Sequence, residues 1–138
     1  RQPDEGGPLV PTPSLGGVEG LVESVRAGGR TVGLVMAPGA ADGVPASVQA
    51  VAYRVVQEGL TNAVRHAPGA TVAVSVERQD GALMIGVRDD GPASRVPEEG
   101  NGLRGMRERV EALGGRLSVG VRPGGGLAVE AMLPIGGW

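Results

Sequence analysis

The segment from Pro45 to His66 limits the possible folds of this chain more than any other part of its sequence. Its small and apolar residues recur at intervals of three and four, the period of a helix that buries one face. These residues are Val48, Ala52, Val55, Val56, Gly59 and Ala63. Proline is favoured in the first turn of a helix, and Pro68 cannot continue one. The pattern therefore predicts a long helix over residues 45–66 that packs against a second layer.

Shorter segments on both sides of this helix alternate between apolar and polar residues, which is typical of β-strands. Two of them, at 71–77 and 82–88, are joined by a segment with an Asp-Gly pair, which favours a β-hairpin. Further strands are predicted at 31–36, 116–121 and 127–133. Amphipathic helices are predicted at 14–27, with Ser14 as the N-cap, and at 103–113. The expected fold class is α+β, a two-layer α/β sandwich in which about three helices cover about five strands.

The first 13 residues have a different character, with three prolines after position 7 and no apolar period. We therefore expect residues 1–13 to be a linker. Residues 14–138 are then expected to form one domain, which is long enough to bury a core of its own. The chain begins at Arg1 rather than at methionine, which suggests a piece of a longer protein.

The composition disfavours several classes of function. A hydrophobic content of 41% with a net charge of −2 favours a folded domain and gives no electrostatic basis for binding nucleic acid. The absence of cysteine excludes disulfides and thiolate metal sites, and it is typical of cytoplasmic proteins. No apolar run approaches the ~20 residues needed to span a bilayer. We expect a cytoplasmic domain, whose parent can still be anchored in a membrane by other segments.

Polar side chains form a row beside the apolar stripe of the predicted long helix. Glu58, Asn62 and Arg65 are spaced by four and three residues and so share one edge of the helix, with His66 next to them. A carboxylate, an amide, a cation and an imidazole are an unusual set among alanines and valines. Taken alone, the row favours a solvated helix edge, because polar rows are common on amphipathic helices.

Two glycine-containing segments supply further candidates. Asp89-Asp90-Gly91 directly follows a predicted strand, where an acid can accept hydrogen bonds from a ligand that the glycine lets approach. Gly100 and Gly102 stand at the start of a predicted helix, where free N–H groups and the helix dipole suit phosphate. Each segment by itself is also consistent with an ordinary turn or loop.

The three sites together carry a resemblance to a known family. The runs RVVQEGLTNAVRHA, VRDDG and GNGLRGMRERV resemble the N box and the two glycine boxes of the ATP-binding catalytic domain of bacterial sensor histidine kinases. This domain belongs to the GHKL, or Bergerat, ATPase superfamily, whose sheet is mixed. The runs are especially similar to the subfamily that signals to NarL-type response regulators. The resemblance extends from about Leu15 to Pro134, with the motifs in the family's order.

The resemblance implies a role for each residue of the helical row. Asn62 is implied to ligate the Mg²⁺ that bridges the phosphates of ATP, as a hard oxygen ligand suits. Glu58 is implied to be the catalytic residue that orients a group or accepts a proton near the γ-phosphate. Arg65 and His66 are implied to lie near the phosphates or to brace the helix.

The resemblance also implies that Asp89 accepts a hydrogen bond from the exocyclic amine of adenine and so selects ATP. The glycines of the second box are implied to form the hinge and helix mouth of a lid over the nucleotide. The implied cofactor-binding residues outside the helical row and Asp89 are Gly91, Gly100, Gly102, Leu103, Gly105 and Leu127.

Two positions depart from the family pattern. Ala93 stands where the first glycine box usually has a second glycine, and Leu127 stands where a threonine usually helps to bind adenine. The loss of one hydrogen bond typically costs about 0.5–1.5 kcal/mol. We therefore expect weakened ATP binding rather than none, although a nucleotide-sensing or interaction module without catalysis stays an alternative.

The function that the resemblance implies is transfer of the γ-phosphoryl group of Mg-ATP to a histidine on a separate helical dimerisation domain, and from there to a response regulator receiver domain. His66 is not the implied acceptor, because that histidine belongs to the helical domain. The piece alone is expected to be monomeric and its parent a homodimer. An alternative within the superfamily is a serine kinase of the anti-sigma-factor type.

Overall fold

One face of a five-stranded sheet carries the helices in the computed structural model, which describes residues 13–92 and 100–136. A 3₁₀ turn at Leu15–Gly17 precedes the three α-helices, which are α1 (Val18–Ala27), α2 (Ala46–His66) and α3 (Asn101–Ala112). The strands are β1 (Val32–Met36), β2 (Val72–Gln79), β3 (Ala82–Asp89), β4 (Arg116–Val121) and β5 (Leu127–Pro134). The predicted α+β sandwich is confirmed.

The strands lie in the order β1-β2-β3-β5-β4. β1 pairs with β2 in parallel, and the other neighbours are antiparallel, so the sheet is mixed as the resemblance implies. The parallel pair needs a crossover connection, and α2 provides it. Because β5 pairs with both β3 and β4, the C-terminal hairpin lies directly beside the end of β3.

Helix α2 packs its predicted stripe on the sheet. All the stripe residues are buried, as are Val72, Val74 and Val76 on β2. Gly59 makes the closest approach, since a Cβ atom there would lie 2.7 Å from the Cβ of Val87 on β3. Glycine at this position therefore sets the distance between the long helix and the centre of the sheet.

The N-cap predicted at Ser14 is correct in position but not in its side-chain bond. Ser14 occupies the N-cap with the extended backbone angles typical of this position, but its side chain makes no capping hydrogen bond. The N–H of Leu15 is instead bonded to Oε1 of Gln49 on α2, at 3.2 Å. The first turn is a 3₁₀ turn, and the α-helix begins only at Val18. A capping partner 34 residues away replaces the local one.

The predicted hairpin is confirmed, with a tighter turn than expected. β2 extends to Gln79 and β3 starts at Ala82, so the loop consists of Asp80 and Gly81 alone. Both residues have positive φ values, 51° and 75°, as two-residue hairpin turns of the Asp-Gly type require. No described helix is long and apolar enough to cross a membrane.

Candidate functional site

A cleft with a cavity volume of about 270 Å³ lies between α2, the start of α3 and one end of the β3, β5 and β4 strands. It collects every site residue named from the sequence except Gly91 and Gly105. The predicted residues that line it are Glu58, Asn62, Arg65, His66, Asp89, Gly100, Gly102, Leu103 and Leu127. This volume is close to the lower end of the range of small-molecule sites, which is about 300–1,000 Å³.

The polar row of α2 forms one wall of the cleft. Glu58 and Asn62 are half-buried, whereas Arg65 and His66 are exposed. None of these four side chains makes a hydrogen bond or ion pair with a described residue. Polar groups in a cleft normally find partners, so this wall presents a carboxylate, an amide, a guanidinium and an imidazole that are available to a ligand.

The opposite part of the cleft is apolar. Ala63 of α2, Val87 of β3, Val119 of β4 and the β5 residues Leu127 and Val129 surround it. Sequence reasoning did not assign Val87, Val119 or Val129 to the site. Their alternation marks them as inward-facing, but only the strand order puts β4 next to the cleft. We call this apolar part of the cleft the slot, and its walls suit a flat heterocycle.

Asp89 is the buried charged side chain of the described part, at 6% exposure. Its Oδ1 accepts the N–H of Gly91 at 2.9 Å and, at 3.4 Å, the N–H of Leu127. No hydrogen bond from the described residues reaches Oδ2. One carboxylate oxygen is therefore held by the main chain, and the other is available to a donor on a ligand in the slot.

The neighbouring acid has a different environment. Asp90 is exposed, and its Oδ1 accepts the N–H of Thr71 at 2.8 Å, while its own N–H donates to the carbonyl of Thr71 at 3.2 Å. Asp90 thus joins the end of β3 to the start of β2. Successive residues of a strand point to opposite faces, which is why only the first acid of the pair lines the cleft.

The N-terminus of α3 faces the polar row. Gly100 is the N-cap, no side chain caps the helix, and the first helical hydrogen bond joins the N–H of Arg104 to the carbonyl of Gly100 at 3.1 Å. The N–H groups of the first turn therefore have no helical partner. Gly102 lies against Glu58, and a Cβ there would overlap its carboxylate. The helix dipole and the free N–H groups favour an anion in this part of the cleft.

The two predicted residues outside the lining lie nearby. A Cβ at Gly91 would be 2.7 Å from the Cβ of Ala67, so the glycine allows the end of β3 to pack on the C-terminal end of α2. Gly105 lies one turn into α3, where a Cβ would make only an ordinary contact with Nη1 of Arg109, at 3.8 Å. Ala93 is outside the described residues. Leu127, at 8% exposure, contributes its side chain to the slot and its N–H to Asp89.

Comparison with known proteins agrees with this geometry. Residues 47–137 match the family model described as histidine kinase-, DNA gyrase B-, and HSP90-like ATPase. The chain is 34% identical over 122 residues to the sensor histidine kinase YxjM of Bacillus subtilis, covering 88% of this chain and 30% of that protein. It is 44% identical over 82 residues to the signal transduction histidine-protein kinase/phosphatase UhpB of Salmonella typhimurium, covering 56% and 16%. The chain thus spans less than a third of these curated relatives.

Solved structures show the same fold. The blue-light activated histidine kinase of Erythrobacter litoralis EL346 superposes with a TM-score of 0.72 at 27% identity, over 89% of this chain and 42% of that one. The catalytic domain of the histidine kinase ThkA superposes with a TM-score of 0.66 over 86% and 90%, and at 16% identity it supports the fold alone. The chain belongs to the histidine kinase-, DNA gyrase B- and HSP90-like ATPase family, as an ATPase domain of the sensor histidine kinase kind.

Proposed function

We propose that this domain binds Mg-ATP in the cleft and donates the γ-phosphoryl group to a histidine on a separate helical domain. The observation that carries the proposal is the division of one cleft into two parts. An apolar slot ends at the buried carboxylate of Asp89, and a wall of unpartnered polar side chains faces the start of α3. A nucleotide has the same division between a flat base and a charged phosphate chain.

The slot suits adenine rather than guanine. The free Oδ2 of Asp89 is an acceptor, and the exocyclic amine of adenine is a donor, whereas guanine presents a carbonyl oxygen at the corresponding position. A buried acceptor that faces another acceptor leaves both without a partner, which costs more than a hydrogen bond gains. Asp89 is therefore proposed to select ATP over GTP.

The polar wall suits a triphosphate with its metal. Mg²⁺ prefers oxygen ligands and usually keeps several waters besides phosphate oxygens. Asn62 is proposed to give the metal one amide oxygen, and Arg65 and His66 to lie beside the phosphate chain. The free N–H groups at the start of α3 supply donors from the opposite side of the cleft.

Glu58 is proposed to act at the γ-phosphate. In the transfer, the bond between the γ-phosphorus and the bridging oxygen of ADP breaks, and a bond to an imidazole nitrogen forms. The proton that the imidazole loses passes to Glu58, directly or through water. Catalysis otherwise consists of positioning and charge neutralisation, as is usual for phosphoryl transfer.

Several finer assignments belong to the same proposal. We propose residues 1–13 as a linker and 14–138 as the catalytic domain, which is monomeric by itself and works in the cytoplasm. Its partners are the helical domain of a homodimeric parent and a response regulator receiver domain. The similarity to UhpB and the run GNGLRGMRERV support a regulator of the NarL type.

Calorimetric titration with ATP, with and without Mg²⁺ and with GTP as control, tests the binding step. The proposal expects micromolar to low-millimolar binding of ATP that requires Mg²⁺ and exceeds that of GTP. The parent's helical domain, added with radiolabelled ATP, should then be labelled on histidine, which acid removes. Acid-stable label on serine would instead support the anti-sigma-factor type of kinase.

A second candidate function has one observation in its favour. The Leu127 side chain lines the slot and offers no hydrogen-bonding group there. If the domain binds no ATP at millimolar concentration, the cleft is a degenerate nucleotide site, and the chain is an interaction module rather than a kinase.

A further inference from the structure

The turn between β4 and β5 has almost no intrinsic rigidity. It runs from Arg122 to Gly126 and contains three successive glycines with φ values of 87°, 109° and 97°. Two main-chain hydrogen bonds close it, from Arg122 N–H to the Gly126 carbonyl at 2.8 Å and from Gly125 N–H to the Arg122 carbonyl at 3.0 Å. Glycine has the largest backbone freedom of any residue, so these bonds shape the turn itself, and outside it the ladder between β3 and β5 reaches only to Arg88 and Ala128.

The Arg122 side chain connects this turn to the end of β3. Its Nη1 donates to the main-chain carbonyl of Asp89 at 2.9 Å, across 33 residues of sequence. The same turn meets Asp89 at two further places. Leu127 donates its N–H to Oδ1 at 3.4 Å, and Gly126 lies so close to the Asp89 carbonyl that no Cβ would fit.

The three contacts differ in strength. A hydrogen bond from a guanidinium is charge-assisted and stronger than one between neutral groups. The hydrogen bond from Leu127 is at the long limit for an N–H donor. The contact of Gly126 with the Asp89 carbonyl is close packing without a hydrogen bond. Arg122 is therefore the principal link between the glycine turn and the main chain of Asp89.

We propose that Arg122 is a positioning residue for purine recognition. By holding the Asp89 carbonyl, it keeps Oδ1 within reach of the Gly91 and Leu127 N–H groups, which in turn leaves Oδ2 directed to the base. Arg122 itself does not line the cleft. This inference rests on the proposed function, because the selection of adenine requires a fixed orientation of the Asp89 carboxylate. Arg122 is proposed to maintain that orientation.

The test compares R122M and R122K with R116M. Arg116 lies on the same hairpin, and its side chain is exposed and makes no hydrogen bond with the described residues, so R116M is a matched control for charge. R122M should weaken ATP binding about fivefold to tenfold and reduce the preference for ATP over GTP by a similar factor. R122K should keep most of both, since lysine can still donate to the carbonyl.

Amide hydrogen exchange in the nucleotide-free domain gives a second readout. R122M should raise the exchange rates of the Gly91 and Leu127 amides specifically, while the midpoint of urea unfolding stays near that of R116M. Equal exchange and equal ATP preference in R122M and R116M would overturn the inference and leave the proposed function standing. If the unchanged protein binds neither nucleotide, the proposed function fails and the purine-recognition role of Arg122 with it.

Discussion

The main-chain N–H of Leu127 lies 3.4 Å from Oδ1 of Asp89 and joins the start of β5 to the end of β3. Leucine stands where the resemblance implies a threonine hydroxyl, but the main-chain N–H at this position still donates to the Asp89 carboxylate. With the N–H of Gly91, it occupies one carboxylate oxygen and leaves the other for a ligand. Four substitutions test what this arrangement and the helix above it contribute.

Asp89→Asn should abolish most of the preference for ATP while preserving the fold. The asparagine oxygen can still accept the N–H groups of Gly91 and Leu127, but its amide nitrogen would face the amine of adenine donor to donor. We expect ATP affinity, measured by calorimetry, to fall about tenfold to a hundredfold. Asp90→Asn is the matched control and should bind ATP normally. Equal losses in both variants would contradict the assignment of Asp89.

Leu127→Thr should lower the stability of the domain and raise its affinity for ATP. The leucine side chain is 8% exposed, and its shortening should lower the free energy of unfolding by about 2–4 kcal/mol. A hydroxyl in the slot adds one hydrogen bond, which should raise ATP affinity about twofold to tenfold. Leu127→Val removes volume without adding a hydroxyl, so it should lose stability and gain no affinity. A gain in both variants would show that slot width, rather than hydrogen bonding, limits binding.

Asn62→Ala should remove the effect of Mg²⁺ on ATP binding. Titration with Mg²⁺ should show affinity reduced about tenfold or more, whereas binding without the metal should change little. Thr61→Ala is the control at the adjacent position. The Thr61 side chain is exposed, and its hydroxyl donates only to the Gln57 carbonyl, at 2.9 Å. Asn62→Ala with an unchanged Mg²⁺ dependence would exclude Asn62 as a ligand.

Gly59→Ala should destabilise the domain. The new Cβ would lie 2.7 Å from the Cβ of Val87, and such overpacking costs about 1–3 kcal/mol in urea unfolding. Gly20→Ala, on α1, meets nothing within 4 Å and should stabilise by about 0.4–1 kcal/mol. A Gly59→Ala domain as stable as the original would mean that α2 can move away from the sheet at little cost.

The sequence predicted the elements whose signals are local. The α2 stripe and the Asp-Gly hairpin depend on residues a few positions apart, and both were predicted with ends within one or two residues of the observed ones. The side-chain cap of the first helix was mispredicted because the partner of the Leu15 N–H, Gln49, belongs to another helix. No local pattern contains that contact.

The site residues that belong to sequence motifs could be predicted. The site residues that reach the cleft only through the order of the strands could not. The α2 row and Asp89 came from motif resemblance, and they do line one cleft. Val119 and Val129 were missed because their place in the slot follows from β5 pairing between β3 and β4. The contact from Arg122 to Asp89 spans 33 residues and depends on the same pairing.

The two-residue turn at Asp80-Gly81 has a consequence at the other end of its strand. Asp89 and Asp90 face opposite sides, so a displacement of β3 by a single position would bring Asp90 to the slot and put Asp89 in its place beside Thr71. The turn prevents that exchange, because its length determines which residue of β3 lies opposite each residue of β2. Under the proposed function, nucleotide choice is therefore specified in part roughly 25 Å from the base, by a loop that never contacts it. The same displacement would turn Leu83, Ile85 and Val87 away from the core, so an insertion or deletion in this turn would be expected to disturb folding and the site together.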